Sequence, residues 1–357
     1  MERGRPATSP GFAEPGRTAL NLRPTLKTIA EATGLAVTTV SRALAGDPQI
    51  AARTRDRVEA VAKSVGYMPD RAAQRLRTGR TNVISLLVNP RHEYLGFSAE
   101  LTAGITDSLK GTPYFVSLIP DYLDETRLDV VSKIIRNRLA DGVVFTRTEV
   151  FDERVRLLME NDFPFITHGR TEFTAVHAYV DFDNEAFARE AVRRLVAKGR
   201  KRLSIVLPDQ KYTFAQHLRY GFVAEARQAG IAFETAEGVT IDDRPERIME
   251  YVRQRRQSAD GPDGFVCVGE VAAMATIAAL QDSGETVGEA ADIVAKRASP
   301  VFDLVRPRVD TMVEDIHECG RALGALLLRR IAGEPAGNLT MLQQPRVATA
   351  CGCVELA

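Results

Sequence analysis

Short polar side chains and an arginine are spaced along residues 37–42 in a pattern that suits contact with nucleic-acid bases. Thr38 and Ser41 carry hydroxyl groups close to the backbone, and Arg42 follows directly. On a helix these side chains share the side opposite the apolar residue Val40. Short side chains let a helix approach base edges, and arginine forms two hydrogen bonds with guanine or binds a phosphate. Residues 37–42 are therefore a candidate base-contacting segment.

The flanking residues predict three short helices that would position this segment. Thr25 is a predicted N-cap, because its hydroxyl can accept a hydrogen bond from a first-turn N–H group. Gly34 ends the first helix, since glycine tolerates the left-handed conformation common at helix C-termini. A second helix is predicted over 36–44 and a third over 52–65, on either side of a break at 46–48. The residues predicted to face inward are Leu26, Ile29, Ala30, Val40, Ala43, Leu44, Val58, Val61, Ala62 and Val65.

Basic charge is concentrated in the same part of the chain. Residues 25–80 contain ten lysines and arginines against five acids, although the whole chain is balanced at 47 of each. Residues 1–24 carry a net charge of +2, so residues 81–357 carry −7. A helical bundle without a nucleic-acid partner is the alternative interpretation, but it gives no reason for this asymmetry. Attraction of one domain to phosphates explains it.

The motifs of this region resemble one known family. TLKTIAEATGLAVTTVSRAL and ARTRDRVEAVAKSVGYMPDRAAQRLRTGRT occur in order and resemble the lactose-repressor (LacI/GalR) family of bacterial transcription factors. The resemblance continues more weakly to near the C-terminus. It implies a helix-turn-helix DNA-binding headpiece over 23–69, a hinge over 70–80, and an effector-binding and dimerisation core over 81–357.

In this family the residues just before the TVSR motif contact bases, which here are Val37 and Thr38, with Arg42 completing the set. The family usually has Ser or Thr where this chain has Ala36, and often Ser where it has Ala51. The DNA-binding residues predicted in all are Thr25, Leu26, Val37, Thr38, Thr39, Ser41, Arg42, Thr54, Tyr67, Ala73, Leu76 and Arg77.

Residues 70–78 match the hinge helix of that family, which folds on operator DNA and inserts a leucine into the minor groove. Leu76 occupies the position of that leucine, with Ala73 one turn earlier. An apolar side chain between base steps unstacks them and kinks the duplex. A plain linker with an incidental leucine is the alternative interpretation, and the surrounding motifs favour the hinge helix.

Residues 82–357 alternate short apolar runs with amphipathic stretches, which predicts parallel sheets with helices on both faces. The length suits two doubly wound lobes, and the resemblance implies the same periplasmic-binding-protein type of α/β core. We expect the chain to cross between lobes near Phe182, Arg306 and Gln343. The predicted N-lobe is 81–182 and 307–343, and the predicted C-lobe is 183–306 and 344–357.

Ligands of such folds bind beyond the carboxyl ends of the strands, in the cleft between lobes. This rule nominates residues 89–97, Asp121, Arg147, 168–170, 209–219 and 269–270. By resemblance, Phe97 corresponds to an aromatic residue that packs on effectors, Arg170 to a polar effector contact, and Glu270 to an aspartate at the start of a C-lobe helix. Each has the alternative interpretation of a surface loop residue or an ion-pair partner.

Two departures from the family pattern concern the effector. Leu218 stands where the family has an arginine, so Arg219 or His217 is the candidate substitute, and we predict Arg219. Residues 296–299 read Lys-Arg-Ala-Ser in place of the Gly-Tyr-Asp-Asp of the family. The predicted effector site is Phe97, Arg170, Arg219 and Glu270.

Bulk properties exclude several classes of protein. No run approaches the roughly 20 apolar residues of a transmembrane helix. Residues 1–22 lack the apolar region of a signal peptide, and we expect them to be a disordered extension. Cys351 and Cys353 could ligate a metal or form a redox pair, but no second pair at zinc spacing accompanies them. Ordinary reduced thiols in a cytoplasmic protein are therefore predicted.

No phosphate-binding loop, GxSxG or HExxH motif is present, so neither catalytic residues, a metal nor a cofactor is predicted. The sequence predicts a transcription regulator, by default a repressor, that binds pseudo-palindromic operator DNA as a homodimer. A small molecule, by family habit a sugar, would bind between the core lobes and modulate that binding. The alternative is a sugar-binding or sugar-metabolising protein with an incidental N-terminal helical domain.

Overall fold

The computed structural model describes residues 24–68, 75, 78–89, 96–121, 127–348 and 354–356, and the chain divides into two units after Gly79. The predicted extension, residues 1–22, lies outside the described residues. So do Ala73, Leu76 and Arg77 of the predicted hinge, and the cysteines at 351 and 353.

Three helices form the N-terminal unit, and they begin and end close to their predicted bounds. They are α1 (Leu26–Thr33), α2 (Val37–Leu44) and α3 (Ala52–Ser64). The Thr25 hydroxyl accepts a hydrogen bond from the N–H of Thr28, and the Thr28 hydroxyl accepts one from the N–H of Thr25. Gly34 ends α1 with a φ of 67°. Both predicted helix signals are confirmed. The buried core of this unit is Ile29, Ala30, Val40, Ala43, Val58 and Ala62.

The second unit alternates strands and helices, as the apolar runs predict. Its helices are α4 (Phe97–Ser108), α5 (Arg127–Asn137), α6 (Glu153–Glu160), α7 (Asn184–Ala197), α8 (Thr213–Gln228), α9 (Pro245–Gln257), α10 (Glu270–Asp282) and α11 (Ile316–Ile331). Its strands are β1 (Val83–Val88), β2 (Phe115–Pro120), β3 (Gly142–Phe145), β4 (Phe165–His168), β5 (Tyr179–Phe182), β6 (Arg202–Val206), β7 (Ala232–Thr235), β8 (Gly264–Cys267), β9 (Asp292–Arg297), β10 (Asp310–Val313), β11 (Thr340–Gln343), β12 (Arg346–Ala348) and β13 (Val354–Leu356). Short 3₁₀ helices span Pro300–Asp303 and Ala336–Asn338.

These strands form two sheets, each the centre of one lobe. The first lobe contains a parallel sheet in the order β11-β5-β4-β3-β1-β2. The second contains the order β13-β12-β10-β9-β8-β6-β7, parallel except for the pairings of β12. The predicted fold class, a helical headpiece with a two-lobed α/β core, is confirmed. Among the described residues, no helix is both long and apolar enough to span a membrane.

One predicted lobe crossing was wrong. The sequence placed it near Arg306, but β10 lies in the second sheet, where Asp310 pairs with Val294 of β9 in parallel register. Met312 is fully buried in the core of the second lobe. The chain returns to the first lobe only at Ile316, whose helix α11 packs on the first sheet. Residues 307–313 therefore belong to the second lobe.

Hydrogen bonds around Gln343 join the three segments in which the chain passes between lobes. The Gln343 carbonyl accepts from the N–H of Asp183 at 2.8 Å, and its side-chain oxygen accepts from the N–H of Asp315 at 3.2 Å. Gln344 donates to the Asp183 carboxylate at 3.2 Å, and Arg346 donates to that of Asp315 at 2.8 Å. The three crossing segments are thus linked to one another by hydrogen bonds.

Helices α4 and α11 of the first lobe pack with their backbones in close contact. Gly104 and Gly320 face each other, and a Cβ atom on Gly320 would overlap the carbonyl oxygen of Leu101. Glycine is required here because no side chain fits between the two backbones.

Candidate functional site

The exposed side of α2 carries the residues predicted to contact bases. Val37 is 43% exposed, and Thr38 and Arg42 are exposed beside it. Thr39 and Ser41 are half-buried at the edge of this surface. An exposed valine on a helix can contact a thymine methyl group, while hydroxyl and guanidinium groups suit the polar base edges.

The alanines that replace the family hydroxyls leave two helix N-termini without side-chain caps. Ala36 precedes α2 and Ala51 precedes α3, and neither supplies a capping hydrogen bond. First-turn N–H groups left without such a cap suit phosphate oxygens. Thr54 lies half-buried in the first turn of α3, while Leu26 and Tyr67 pack partly against the headpiece core.

Arg42 is held by the turn that follows α2. Its Nε donates to the Asp47 carboxylate at 2.7 Å, and its Nη2 donates to the side-chain oxygen of Gln49. Asp47 in turn accepts from the backbone N–H of Gln49 at 2.9 Å. The hydrogen bond from Arg42 holds the pKa of the Asp47 carboxyl below its usual range. We call Arg42, Asp47 and Gln49 the Arg42 clasp.

Two further arginines hold the headpiece together. Arg55 Nη1 donates to the carbonyls of Asp47 and Ile50, at 3.2 and 2.8 Å, and so closes the turn before α3. Arg57 Nη2 donates to the carbonyl of Thr33 at 2.7 Å, which ties α3 to the C-terminal end of α1. Arg55 therefore fixes the turn that contributes Asp47 to the clasp, and Arg57 fixes the packing of α3 on α1.

A cavity of about 210 Å³ lies between the two lobes of the second unit. Its walls come from residues at the carboxyl ends of strands in both sheets, together with the first residues of several helices. This is the position expected for a ligand in a doubly wound fold. The charged and aromatic lining includes Phe97, Arg147, His168, Phe214, Asp242, Glu270, Lys296, Arg297 and Glu314.

Three charged residues form a buried cluster in the cavity wall, where segments of both lobes meet. Lys296 Nζ lies 2.6 Å from one carboxylate oxygen of Glu314 and donates to Oδ1 of Asn184 at 3.2 Å. His168 Nε2 lies 3.4 Å from the other Glu314 oxygen. The ring of Phe97 contacts His168 edge-to-face, with centroids 5.7 Å apart.

The ion pairs of this cluster set its charge. Burial would lower the pKa of His168, but its contacts with Cys319 and Glu314 outweigh burial and raise that pKa well above its usual range. Burial would raise the pKa of Glu314, but the charge of Lys296 and the contact with His168 outweigh it and lower that pKa. Near neutral pH, His168 is therefore cationic beside an ionised Glu314.

A second ion pair joins the two lobes across the cavity. Arg147 follows β3 and binds both carboxylate oxygens of Asp242, which follows β7, at 2.7 and 2.9 Å. The Arg147 guanidinium also lies over the ring of Tyr212, 5.5 Å from its centroid. Arg147 adopts a φ of 55°, uncommon for a residue other than glycine. We call Arg147 and Asp242 the cross-lobe pair.

Backbone hydrogen bonds accompany the cross-lobe pair. Val150 N–H donates to the Lys211 carbonyl, and Thr213 N–H donates to the Thr148 carbonyl, both at 3.1 Å. Beneath this loop Arg154 is 2% exposed and binds Asp152, at 2.7 Å. The buried ion pair anchors the loop that carries Arg147.

Two of the four predicted effector residues line the cavity. Phe97 and Glu270 do so, but Glu270 also accepts hydrogen bonds from the N–H groups of Ala298 and Ser299, at 3.1 and 2.8 Å. Its carboxylate therefore holds the loop after β9 as well as facing the cavity.

The other two predicted effector residues lie elsewhere. Arg170 is outside the lining and forms an ion pair with Asp181 at 3.2 Å. Arg219 is exposed on α8, so its predicted place in the cleft is corrected. Its neighbour Leu218 is fully buried in the second lobe. A helix that buries residue 218 turns the side chain of residue 219 by about 100°, towards solvent.

Sequence reasoning missed several residues of the cavity. The strand-end rule nominated Arg147 and His168, but not Asp242, Lys296 or Glu314. Lys296 and Glu314 lie at the ends of β9 and β10, and the wrong crossing near residue 306 hid their proximity. For Lys296 there was one signal, because residues 296–299 depart from the family pattern at a position that concerns the effector.

Two family models match the chain. One, described as bacterial regulatory proteins of the lacI family, matches residues 25–70, and the other, a periplasmic binding protein-like domain, matches residues 192–349. The chain therefore contains a lacI-family DNA-binding domain followed by a periplasmic-binding-protein-like domain. The predicted identity as a helix-turn-helix, DNA-binding transcription regulator is confirmed.

Relatives and solved structures of the lacI family align with most of the chain. The HTH-type transcriptional regulator AglR of Rhizobium meliloti is 27% identical over 316 residues, which is 86% of this chain and 87% of AglR. CelR of Thermobifida fusca is 26% identical, over 87% of this chain and 93% of CelR. The lac repressor dimer bound to operator and an anti-inducer superposes with a TM-score of 0.75 at 18% identity, covering 94% of this chain and 99% of that one. A CelR–cellobiose complex gives 0.67 at 22% identity, over 94% and 100%.

Proposed function

We propose that this lacI-family regulator is a cytoplasmic repressor that binds a pseudo-palindromic operator as a homodimer. We further propose that an uncharged carbohydrate, bound in the cavity between the core lobes, modulates its affinity for that operator. The exposed side of α2, with Val37 and Thr38 beside the fixed Arg42, carries the DNA part of the proposal.

The pairing of charges in the cavity supports an uncharged ligand. The cationic lining side chains already have carboxylate partners, Arg147 with Asp242 and Lys296 with Glu314, and Arg297 pairs with Asp303 at 2.7 Å. A charged ligand would have to displace one of these partners, and breaking the largely buried pair of Lys296 and Glu314 would cost free energy. A neutral, hydroxylated ligand can hydrogen-bond to the same groups without breaking them. A solved regulator with the same fold, CelR, is in complex with cellobiose, a neutral disaccharide.

Dimerisation follows from the geometry of DNA recognition. One small helical headpiece contacts a half-site, so two copies related by a two-fold axis match a pseudo-palindrome. The lac repressor, which shares the fold, was solved as a dimer on its operator. We propose the same arrangement here, with residues 70–78 as the hinge and Leu76 as its minor-groove side chain.

Selection of duplexes from a random library by the full-length protein tests the DNA part. The recovered duplexes should share two inverted half-sites. Fluorescence anisotropy on that duplex, with neutral mono- and disaccharides, sugar phosphates and sugar acids, then tests the ligand. A neutral sugar that changes the anisotropy should also raise the Tm of the protein, because a ligand that binds the folded state stabilises it. A response to anionic sugars alone would refute the uncharged ligand.

We also propose that the core has no catalytic role. In the described cavity wall, His168 and Glu314 are held in ion pairs, and Glu270 accepts hydrogen bonds from the loop after β9. The Cys319 thiol beside His168 is fully buried, and burial raises its pKa, which disfavours the reactive thiolate. Chromatography of the active sugar after prolonged incubation with the protein should recover it unchanged. A product would instead favour the sugar-metabolising alternative.

A further inference from the structure

We infer that Asp47 and Gln49 are positioning residues that present one edge of the Arg42 guanidinium to a guanine in the operator. This rests on the proposed function, in which α2 contacts the bases. Asp47 and Gln49 lie in the turn after α2, outside the two helices of the helix-turn-helix motif, so the motif alone does not account for their contacts with Arg42.

The argument begins with the shape of the guanidinium group. Arginine carries five N–H groups in a planar fork, and four of them lie in pairs along two edges. One edge contains the Nε hydrogen and one Nη2 hydrogen, and the other contains the outer hydrogens of Nη1 and Nη2. Either edge can form two parallel hydrogen bonds, as O6 and N7 of guanine require.

The clasp occupies only the first of these edges. Asp47 accepts from Nε at 2.7 Å, and Gln49 accepts from Nη2. Nη1 makes no hydrogen bond with any residue that the structure describes. The outer edge is therefore available to guanine while the inner edge stays bound.

Hydrogen bonds also hold the turn that contains Asp47 and Gln49. The N–H of Asp47 donates to the Arg42 carbonyl at 3.1 Å, and the Asp47 carboxylate accepts from the N–H of Gln49 at 2.9 Å. Arg55 donates to the Asp47 carbonyl at 3.2 Å. Because the arginine has lost rotamer freedom before DNA arrives, less is lost on binding.

Charge makes the inference distinguishable from a general electrostatic effect. Asp47 places a negative charge on a surface that approaches phosphates, so its removal alone should raise affinity for any DNA. If Asp47 orients Arg42, its removal should instead lower the preference for one base pair. For the selected operator duplex, loss of the charge alone should raise the affinity, whereas loss of the Arg42 orientation should lower it.

The test compares Arg42→Ala, Asp47→Ala and Gln49→Ala in the full-length protein. Glu59→Ala, which removes an exposed acid of α3, is the matched control. The probes are the duplex selected by the wild-type protein and versions with each G·C pair of a half-site replaced by A·T. Asp47→Ala should lower the affinity ratio at one G·C pair about 10-fold, within the discrimination that a bidentate contact supplies. Its affinity for unrelated DNA should not fall, and Glu59→Ala should leave the ratio unchanged.

A double-mutant cycle separates positioning from stabilisation of the turn. With Arg42→Ala already present, Asp47→Ala should change the ratio no further. Asp47→Asn keeps an acceptor for the Gln49 N–H but loses the charge, and should fall between the wild type and Asp47→Ala. Persistence of the full effect without Arg42 would overturn the inference.

Two outcomes distinguish this inference from the proposed function. If Arg42→Ala changes no base preference, the proposed base contact itself fails. If Arg42→Ala lowers the ratio and Asp47→Ala does not, the base contact stands and the clasp has no part in it.

Discussion

At the scale of single residues, partners that are distant in sequence decide the charge states in the cavity. His168 ends β4, and its contacts with Cys319 and Glu314 outweigh burial and raise its pKa. Glu314 follows β10, and Lys296 together with His168 outweighs burial and lowers its pKa. Because the folded pKa of His168 lies above its unfolded value of about 6.5, its contribution to stability is complete below that pH. It is lost as the pH rises towards the folded pKa.

We therefore expect the free energy of unfolding to fall between pH 7 and pH 9, by at most roughly 1.4 kcal/mol per pH unit from this group. Urea denaturation at the two pH values measures it. His168→Asn should show a shallower fall, and an equal fall in both proteins would mean that His168 is not held as a cation. Glu314, whose pKa is lowered, works in the opposite direction and loses its contribution only in acid.

Residue identity alone could predict only part of the site. Phe97 and Glu270 reach the cavity because each begins the helix that follows a strand, which a pattern of apolar runs reveals. Asp242 follows the short strand β7, and its partner Arg147 lies 95 residues away. Such a pairing depends on how the lobes meet, and no local signal encodes that.

At the scale of elements, the contact between α4 and α11 depends on glycine. Gly320→Ala should lower the free energy of unfolding by about 1–3 kcal/mol, because a Cβ atom would overlap the Leu101 carbonyl and push the helices apart. Thermal or urea unfolding of the full chain measures the loss. Gly337→Ala is the control, since a Cβ atom there would meet no atom within 4 Å. Equal losses would show that the helix contact is not the cause.

Elements with local signals could be predicted, and those fixed by long-range pairing could not. The first helix has a threonine cap and a terminal glycine within ten residues, so Thr25 and Gly34 locate it. The residues of the strand at 310–313 contain no pattern that indicates which lobe the strand joins. Its place was decided by pairing with β9, and the sequence offered no way to choose between the two sheets.

At the scale of the whole core, the cross-lobe pair joins the two lobes at the cavity, and we expect it to keep them together. Arg147→Ala should let the lobes separate, which would expose the amides of Val150 and Thr213 that bond across the gap. Hydrogen exchange of peptides covering those two residues should become faster. Arg156→Ala, on the exposed side of α6, removes the same charge and should leave their exchange unchanged. Equal protection in Arg147→Ala would show that other contacts close the cavity.

The hydrogen bonds among the three crossing segments limit the movements by which the core can signal ligand binding. Hydrogen bonds from Asp183 and Asp315 converge on Gln343, so the three connections cannot twist independently. We therefore expect the lobes to move relative to each other mainly by rotation about one axis through these bonds. A ligand can then transmit only one quantity, the angle at which it holds the lobes. Compounds of different shape that impose the same angle should therefore change the operator affinity by the same factor. A series of ligands should then be ordered by this angle, from the smallest to the largest change in operator affinity.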